Sequence, residues 1–407
     1  MAVYAKAGFQ VCGYDKQPNV VQGLLEGKAP ASVLEPGLDK LLAESKDNWS
    51  VTNDPRTLAE LSDVIFVIVP TPSDQDNAFS NEYVLDACRI IGEAIRDIDH
   101  SLLIVLVSTV MPGACDGVII PALERYSEKQ EGIGFSFAYS PEFVALGSVI
   151  ENMMHPDFML IGCNDERAGH DLITVYRNFF RACDVDVPAV YSMSCINAEI
   201  AKLSLNAYLT TKIAFTNQIA GLCEKIEGAD AGVVLAAVGA DSRIGHKFLR
   251  PTCPPGGPCL PRDSQALIYA AKQRGVEMPL SKGTIETNDL WLDRMVEMVG
   301  DAKRVAILGL TYKPFTNVTE ASPGMALINL LRHIGKIVDC YDPSAVFPIE
   351  LGTVLDNSDT SVIATPWPEF ASLVFKEGTR LIDCWRIIEP SKQPEGVKIL
   401  YPGTYHA

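Results

Sequence analysis

The residues able to do chemistry gather around one cysteine. Cys259 follows Gly256 and Gly257 in the run GGPCLPRD, a turn where the backbone can approach a ligand closely. Asp263 lies four residues on, near enough to take part in acid/base work. A thiolate there is a nucleophile, although a small buried residue is the commoner fate of a cysteine. Lys202 and Asn206 are four apart in AEIAKLSLNAY and so share one face of a helix. A lysine on that face can stabilise an oxyanion and, with Asn206 and Asp263, position water. The same spacing also describes a solvated helix face. Thr109 and Glu142 each follow an apolar run at a strand end, where α/β active sites gather. Glu142, after Pro141, fits a helix start equally well. Asp15 closes the first strand and can accept hydrogen bonds from an adenosine ribose, or serve as ordinary turn chemistry.

These residues must be positioned by alternating strands and helices. Short apolar runs read as strands at Gln10–Tyr14, Val64–Val69, Leu103–Ser108, Phe135–Tyr139 and Phe158–Ile161, with helices such as Asn81–Asp97 and Asp116–Lys129 between them. A stretch from about Ala198 to Gly228 reads as one long helix that links domains or forms an oligomer face, or as an ordinary buried helix. After a loop rich in Pro and Gly (Pro251–Pro261) the pattern resumes with Arg304–Tyr312, a helix near Pro323–Ile334, and strands at Ile337–Pro343, Ser361–Ala364 and Leu381–Cys384. The fold class is therefore α/β with parallel sheets. The expected domains are residues 1–190, a central helical part 191–295, and 296–407. The first α/β half opens on a helix, Ala2–Ala7, a Gly8 stop and a strand ending at Asp15. No first strand and no GxGxxG precede that helix, so the strands ending at Asp15 and Val69 lack a shared partner and the sequence is expected to begin late in a dinucleotide-binding unit.

Composition sets the outer bounds. The chain has 407 residues, 47% hydrophobic and 21% charged, so disorder is excluded. The formal net charge of −17 makes nucleic acid and anionic membranes poor partners. No run reaches the roughly 18 apolar residues of a membrane span, and the start has no secretory signal. Eleven cysteines without CxxC pairs or metal-ligand spacing point to a reducing cytoplasm rather than to disulfides or a metal site.

Eight runs in order carry a family resemblance: LEPGL (Leu34–Leu38), VPTP (Val69–Pro72), STVMPG (Ser108–Gly113), SPEF (Ser140–Phe143), AEIAKLSLNAY (Ala198–Tyr208), DSRIGHKFL (Asp241–Leu249), GGPCLPRD (Gly256–Asp263) and LGLTYKP (Leu308–Pro314). The chain resembles the UDP-glucose/GDP-mannose dehydrogenase family. The resemblance implies two Rossmann-like domains joined by a long helix, a homodimer formed through that helix, and NAD as cofactor. It implies a four-electron oxidation of a nucleotide sugar, from C6 alcohol to carboxylate, through a thiohemiacetal and thioester on Cys259. Lys202, Asn206, Asp263, Thr109 and Glu142 would form the water and proton-transfer network. NAD would meet Asp15, Val69, Pro70, Thr71, Ser108 and Thr109. The substrate would meet Glu142, Phe143, Lys202, Asn206, Lys247, Phe248, Leu249, Gly256, Tyr312, Lys313 and Arg386, while Arg243 would reach the substrate of the neighbouring subunit.

Four departures bear on the sugar. Leu146 stands where the family commonly has Glu, and Pro254-Pro255 replaces the usual small-aromatic pair ahead of GGxC. KPFTNVTEASP (Lys313–Pro323) puts Glu320 and Ala321 where Arg and Glu are usual, and DCWR replaces DGR, leaving Arg386 one position late. UDP-glucose is the simplest substrate, with a UDP-N-acetylhexosamine or GDP-mannose as alternatives. A non-catalytic nucleotide-sugar-binding paralogue is the reading from another class, and the joint presence of Cys259, Lys202, Asn206 and Asp263 argues against it.

Overall fold

The structure is a computed structural model that describes residues 1–28, 34–344 and 349–405. It divides into two compact units, Met1–Leu203 and Ser204–Ala407, the division falling inside one helix.

The first unit holds two sheets. β1 (Val11–Tyr14) pairs in parallel with β2 (Trp49–Thr52). The second sheet runs β3 (Val64–Val67), β4 (Leu102–Leu106), β5 (Phe135–Tyr139), β6 (Phe158–Gly162), β7 (Ala189–Met193) in spatial order. Its neighbours are parallel except β5 and β6, which meet antiparallel at Tyr139 and Gly162. β4 and β5 are buried at every residue, as strands covered on both faces must be. The period of two sorts β4 cleanly: Leu102, Ile104 and Leu106 enter one apolar cluster, and Leu103 and Val105 the other. β1 is only half-buried along its length, and β1 and β3 share no ladder among the described residues.

The helices of this unit are α1 (Ala2–Lys6), α2 (Pro18–Leu25), α3 (Leu38–Glu44), α4 (Pro55–Leu61), α5 (Glu82–Ile95), α6 (Ile120–Ser127), α7 (Val149–Met154) and α8 (Glu166–Ala182). Asp54 caps α4 by accepting the Arg56 and Thr57 N–H groups, a contact worth about 1 kcal/mol. α5 packs tightly on α6 because Gly92 carries no Cβ, which would lie 2.6 Å from Tyr126 Cβ. The helix expected over 116–129 is two pieces, a π-type turn at Cys115–Ile119 and then α6. Pro121, which has no N–H, sits in the first turn of α6. α9 (Cys195–Cys223) starts three residues earlier than expected and stops five earlier.

In the second unit one five-stranded parallel sheet has the order β12 (Lys398–Leu400), β11 (Arg380–Asp383), β10 (Thr360–Ile363), β8 (Arg304–Leu308), β9 (Ile337–Tyr341). Chain order reverses beside β8, so a crevice is expected at the carboxyl ends of β8 and β10. Val305 and Ile307 enter one core cluster, and Ala306 and Leu308 the opposite one. The helices are α10 (Ala231–Gly239), α11 (Leu260–Lys272), α12 (Pro279–Val299), α13 (Pro323–His333) and α14 (Leu351–Asn357). The strand expected to run to Val69 ends at Val67, and Arg304–Tyr312, expected as a strand entering a turn, is β8 to Leu308 and then a loop. VPTP and LTYKP therefore stand in or lead into loops at the carboxyl ends of β3 and β8. Among the described residues no helix is long and apolar enough to cross a membrane.

Candidate active site

In the first unit the loops after β3 and β4 are tied together by side-chain hydroxyls. Ser108 Oγ accepts the Val69 N–H at 2.9 Å and donates to the Val69 carbonyl at 2.7 Å. Thr71 Oγ1 donates to the Thr109 carbonyl at 2.8 Å. Val69, Pro70, Thr71, Ser108 and Thr109 thus form one fixed wall at the carboxyl edge of the sheet. Asp15 directly follows β1, and its Oδ1 accepts the Gln17 N–H at 2.8 Å in an Asx turn that fixes the carboxylate. A glycine-rich turn to cradle the pyrophosphate of a dinucleotide is not among the described residues.

The loop after β5 meets the start of α9. Lys202 is buried, and its Nζ donates to the Glu142 carbonyl at 2.7 Å while lying 4.3 Å from the centre of the Phe143 ring. Burial pushes the Glu142 carboxyl above its ordinary value, and the Lys202 ammonium opposes that shift. The Ser140 hydroxyl anchors the same loop, bonded to the Leu160 carbonyl at 3.0 Å and the Tyr176 hydroxyl at 2.7 Å. The structure thus brings Lys202, Glu142 and Phe143 together. It also supplies a carboxylate that sequence reasoning passed over. Buried Glu199 accepts the Gly113 N–H at 2.5 Å and the Cys115 N–H at 2.8 Å, across more than eighty residues of chain. The only local signal was an acidic residue three positions before Lys202.

In the second unit Cys259 is the N-cap residue of α11, with Asp263 in the first turn of that helix. None of the eleven cysteines is in a disulfide among the described residues, and Cys259 alone is exposed. A helix amino terminus favours negative charge on the groups that face it. Asp263 is buried and accepts from Asn206 Nδ2 at 2.6 Å. Its backbone N–H bonds the Cys259 carbonyl at 2.8 Å, which closes the turn. Arg262 Nε stands 3.5 Å from Asp263 Oδ1.

The glycine pair before Cys259 serves packing between loops. Gly257 has φ +87°, and a Cβ on it would lie 2.6 Å from the Tyr312 ring. A Cβ on Gly256 would lie 2.8 Å from both the Ala321 carbonyl and Pro323 Cδ. The two residues before Tyr312, Leu310 and Thr311, are held by Asp342, a second residue the sequence reading missed. Its buried Oδ2 accepts the N–H groups of Leu310 (2.7 Å) and Thr311 (2.9 Å), the Thr311 hydroxyl (2.9 Å) and the Trp367 indole N–H (3.2 Å). An Asp directly after a strand was its only trace in the sequence.

The remaining candidates are placed differently. Arg243 is exposed and forks onto Asp241, at 3.0 Å through Nε and 2.7 Å through Nη2. Lys247 and Phe248 are exposed, Phe248 at φ +64°, whereas the Leu249 side chain lies in the core. Arg386 makes a bidentate ion pair with Asp230, at 2.7 and 3.0 Å, where Asp230 also caps α10 through the Gly232 N–H. The additional residue of DCWR, Trp385, donates its indole N–H to the Ala364 carbonyl and carries the Arg250 guanidinium 5.4 Å from its ring centre. Arg386 thus secures the start of a helix. Among the described residues no group of His, Cys, Asp or Glu could hold a metal ion.

Three models of one family match the chain in sequence. The NAD binding domain of the UDP-glucose/GDP-mannose dehydrogenase family matches residues 1–180, its central domain 196–290 and its UDP binding domain 306–390. A UDP-glucose 6-dehydrogenase of Haloferax volcanii is 33% identical over 389 residues, covering 91% of this chain and 89% of that protein. A GDP-mannose 6-dehydrogenase of Pseudomonas putida is 30% identical, covering 92% and 90%. Among solved structures, a UDP-glucose dehydrogenase from Pyrobaculum islandicum has 29% identity and a TM-score of 0.87, covering all of this chain and 95% of that one. A UDP-D-ManNAc dehydrogenase from Pyrococcus horikoshii has 25% identity and a TM-score of 0.83, covering 99% and 95%.

Proposed function

The chain belongs to the UDP-glucose/GDP-mannose dehydrogenase family, and on that premise we propose that it oxidises the C6 alcohol of a UDP-hexose, UDP-glucose in the simplest case, to the carboxylate. The observation that carries this reading is the placement of Cys259: the one exposed thiol among eleven, at the amino end of α11, one turn before the buried Asp263–Asn206 pair. NAD, when bound, takes up the hydride released at each of the two oxidations. Asp15 holds its adenosine ribose and the 69–71 and 108–109 wall its nicotinamide end.

The chain's own residues do the rest. Lys202 stabilises the oxyanion that develops on the sugar C6 oxygen, its Nζ already fixed by the Glu142 carbonyl. The Cys259 sulfur adds to the aldehyde carbon and retains the sugar as a thiohemiacetal. Loss of hydride from that carbon leaves a thioester. Asn206 and Asp263 position the water that attacks it, and the C–S bond breaks to return the thiol and release the acid. Thr109 and Glu142 belong to the same proton-transfer network. Tyr312 and Lys313 bind the uridine diphosphate, the lysine as counter-charge. The test is turnover of a nucleotide-sugar panel that includes UDP-glucose, GDP-mannose and UDP-N-acetylhexosamines. The expected result is two NADH per uronic acid with a UDP-hexose; one NADH per turnover, or oxidation of GDP-mannose alone, rejects the reading. Pro254-Pro255 and Leu146 are the changes that favour a different sugar, and the panel decides between the sugars.

The working assembly in this reading is a homodimer formed through α9. Tyr208, Phe215 and Leu222, seven residues apart, make one apolar stripe with exposures of 64%, 46% and 57%. In that dimer Arg243 reaches the neighbour's substrate. Sedimentation equilibrium is expected to give a dimer, and Phe215→Asp a monomer with strongly reduced turnover. A wild-type monomer that is fully active would remove both the dimer and the shared role of Arg243.

A further inference from the structure

The first turns of α9 hold two loops of the first unit at once. Lys202 fixes the loop after β5 through the Glu142 carbonyl at 2.7 Å. Glu199, three residues earlier on the same helix, fixes the loop after β4 through the N–H groups of Gly113 and Cys115 at 2.5 and 2.8 Å. Those loops carry Glu142 and Thr109, the two members of the proton-transfer network that stand on strand ends of this sheet.

The Glu199 contact is one that only an ionised carboxylate makes well. Gly113 has φ +95° and Ala114 opens the π-type turn, so both amides belong to a helix start with no carbonyl partner of its own. The two carboxylate oxygens accept one amide each. Glutamine in the same place would offer one oxygen and turn an NH₂ against the second N–H. Upstream of Gly113 the loop is also held through Ser108 and through the Thr109 carbonyl, and Glu199 is an anchor at its far end. Burial raises the Glu199 carboxyl above its ordinary value, and the two backbone N–H groups oppose that shift.

We propose that Glu199 is a positioning residue for the oxidation: by pinning Gly113 and Cys115 it holds the far end of the loop that begins with Thr109, and together with the Thr71 contact keeps Thr109 in register with Lys202 and Glu142. This rests on the function proposed above. Displacing a catalytic group by about 1 Å can cost on the order of a hundredfold in rate. Glu199→Gln is therefore expected to lower kcat by about ten- to a hundredfold while KM for the nucleotide sugar stays within about threefold. A uniform loss of folded protein would lower the active fraction instead, which titration of the Cys259 thiol with an alkylating reagent reads directly. The expected variant is fully titratable at Cys259 and slow.

Glu199→Asp, one methylene shorter, is the second variant and is expected to recover part of the rate if Gln is slow. Wild-type kcat in Glu199→Gln overturns the positioning role. So does a fall in kcat that merely matches a fall in titratable Cys259. Failure of Glu199→Gln to fold, together with a folded Glu199→Asp of wild-type kcat, overturns it as well. If the wild-type chain oxidises no nucleotide sugar, the function reading itself falls and this inference with it, a result distinct from the other three.

Discussion

Cys259→Ser is expected to lower formation of the uronic acid by about 10³-fold or more, in the range that loss of a covalent nucleophile costs. The serine hydroxyl keeps the size and place of the thiol at the start of α11. It cannot form the thioester through which the second oxidation is proposed to pass. In the proposed sequence the first oxidation does not need the sulfur, so the variant is expected to release aldehyde and yield at most one NADH per sugar consumed. Trapping the aldehyde with a hydrazine, alongside NADH counting, separates this result from a general loss of activity. Full acid production by Cys259→Ser at an undiminished rate would end the covalent mechanism.

Asp263→Asn is expected to fail later in the same sequence. Asp263 is buried and receives Asn206 Nδ2 at 2.6 Å, so the isosteric amide keeps the fold and removes the charge. Losing a positioned acid/base group costs about 10²–10⁴-fold. The step lost is attack of water on the thioester. Rapid mixing should therefore show a burst of two NADH per active site and then a slow steady state. Mass spectrometry of the quenched protein should find the uronyl group on Cys259. A slow reaction with no burst and no adduct would place Asp263 before thioester formation. The two variants together mark both ends of the covalent phase: one never forms the adduct, the other cannot clear it.

Much of this was legible in the residues, for a physical reason. Strands buried on both faces, such as Leu102–Leu106 and Phe135–Tyr139, are nearly continuous apolar runs and read directly. β2, β7 and β12 did not read, because exposed or half-exposed edge strands such as AVYSM carry no such run. The π-type turn at Cys115–Ile119 sits in a sequence that looks uniformly helical. At the site, residues with a local spacing were visible: Lys202 with Asn206, and Cys259 with Asp263. Glu199 and Asp342 were not, since their partners are backbone amides 84 to 86 and 31 to 32 residues away. The partner of Arg386 was not legible either: its donors are on Asp230, 156 residues away.

The contact between Gly257 and the Tyr312 ring has a consequence for how such a sequence can change over time. Neither glycine before Cys259 has room for a side chain, and what fills that room is the loop after β8 together with Ala321 and Pro323. A mutation that enlarges either glycine must wait for a compensating one near Tyr312 or Ala321, in that order or the reverse. The two loops therefore drift as one heritable unit, although more than fifty residues separate them in the chain. Pro254 and Pro255 lie outside that lock, and variation ahead of the cysteine is free to accumulate there first.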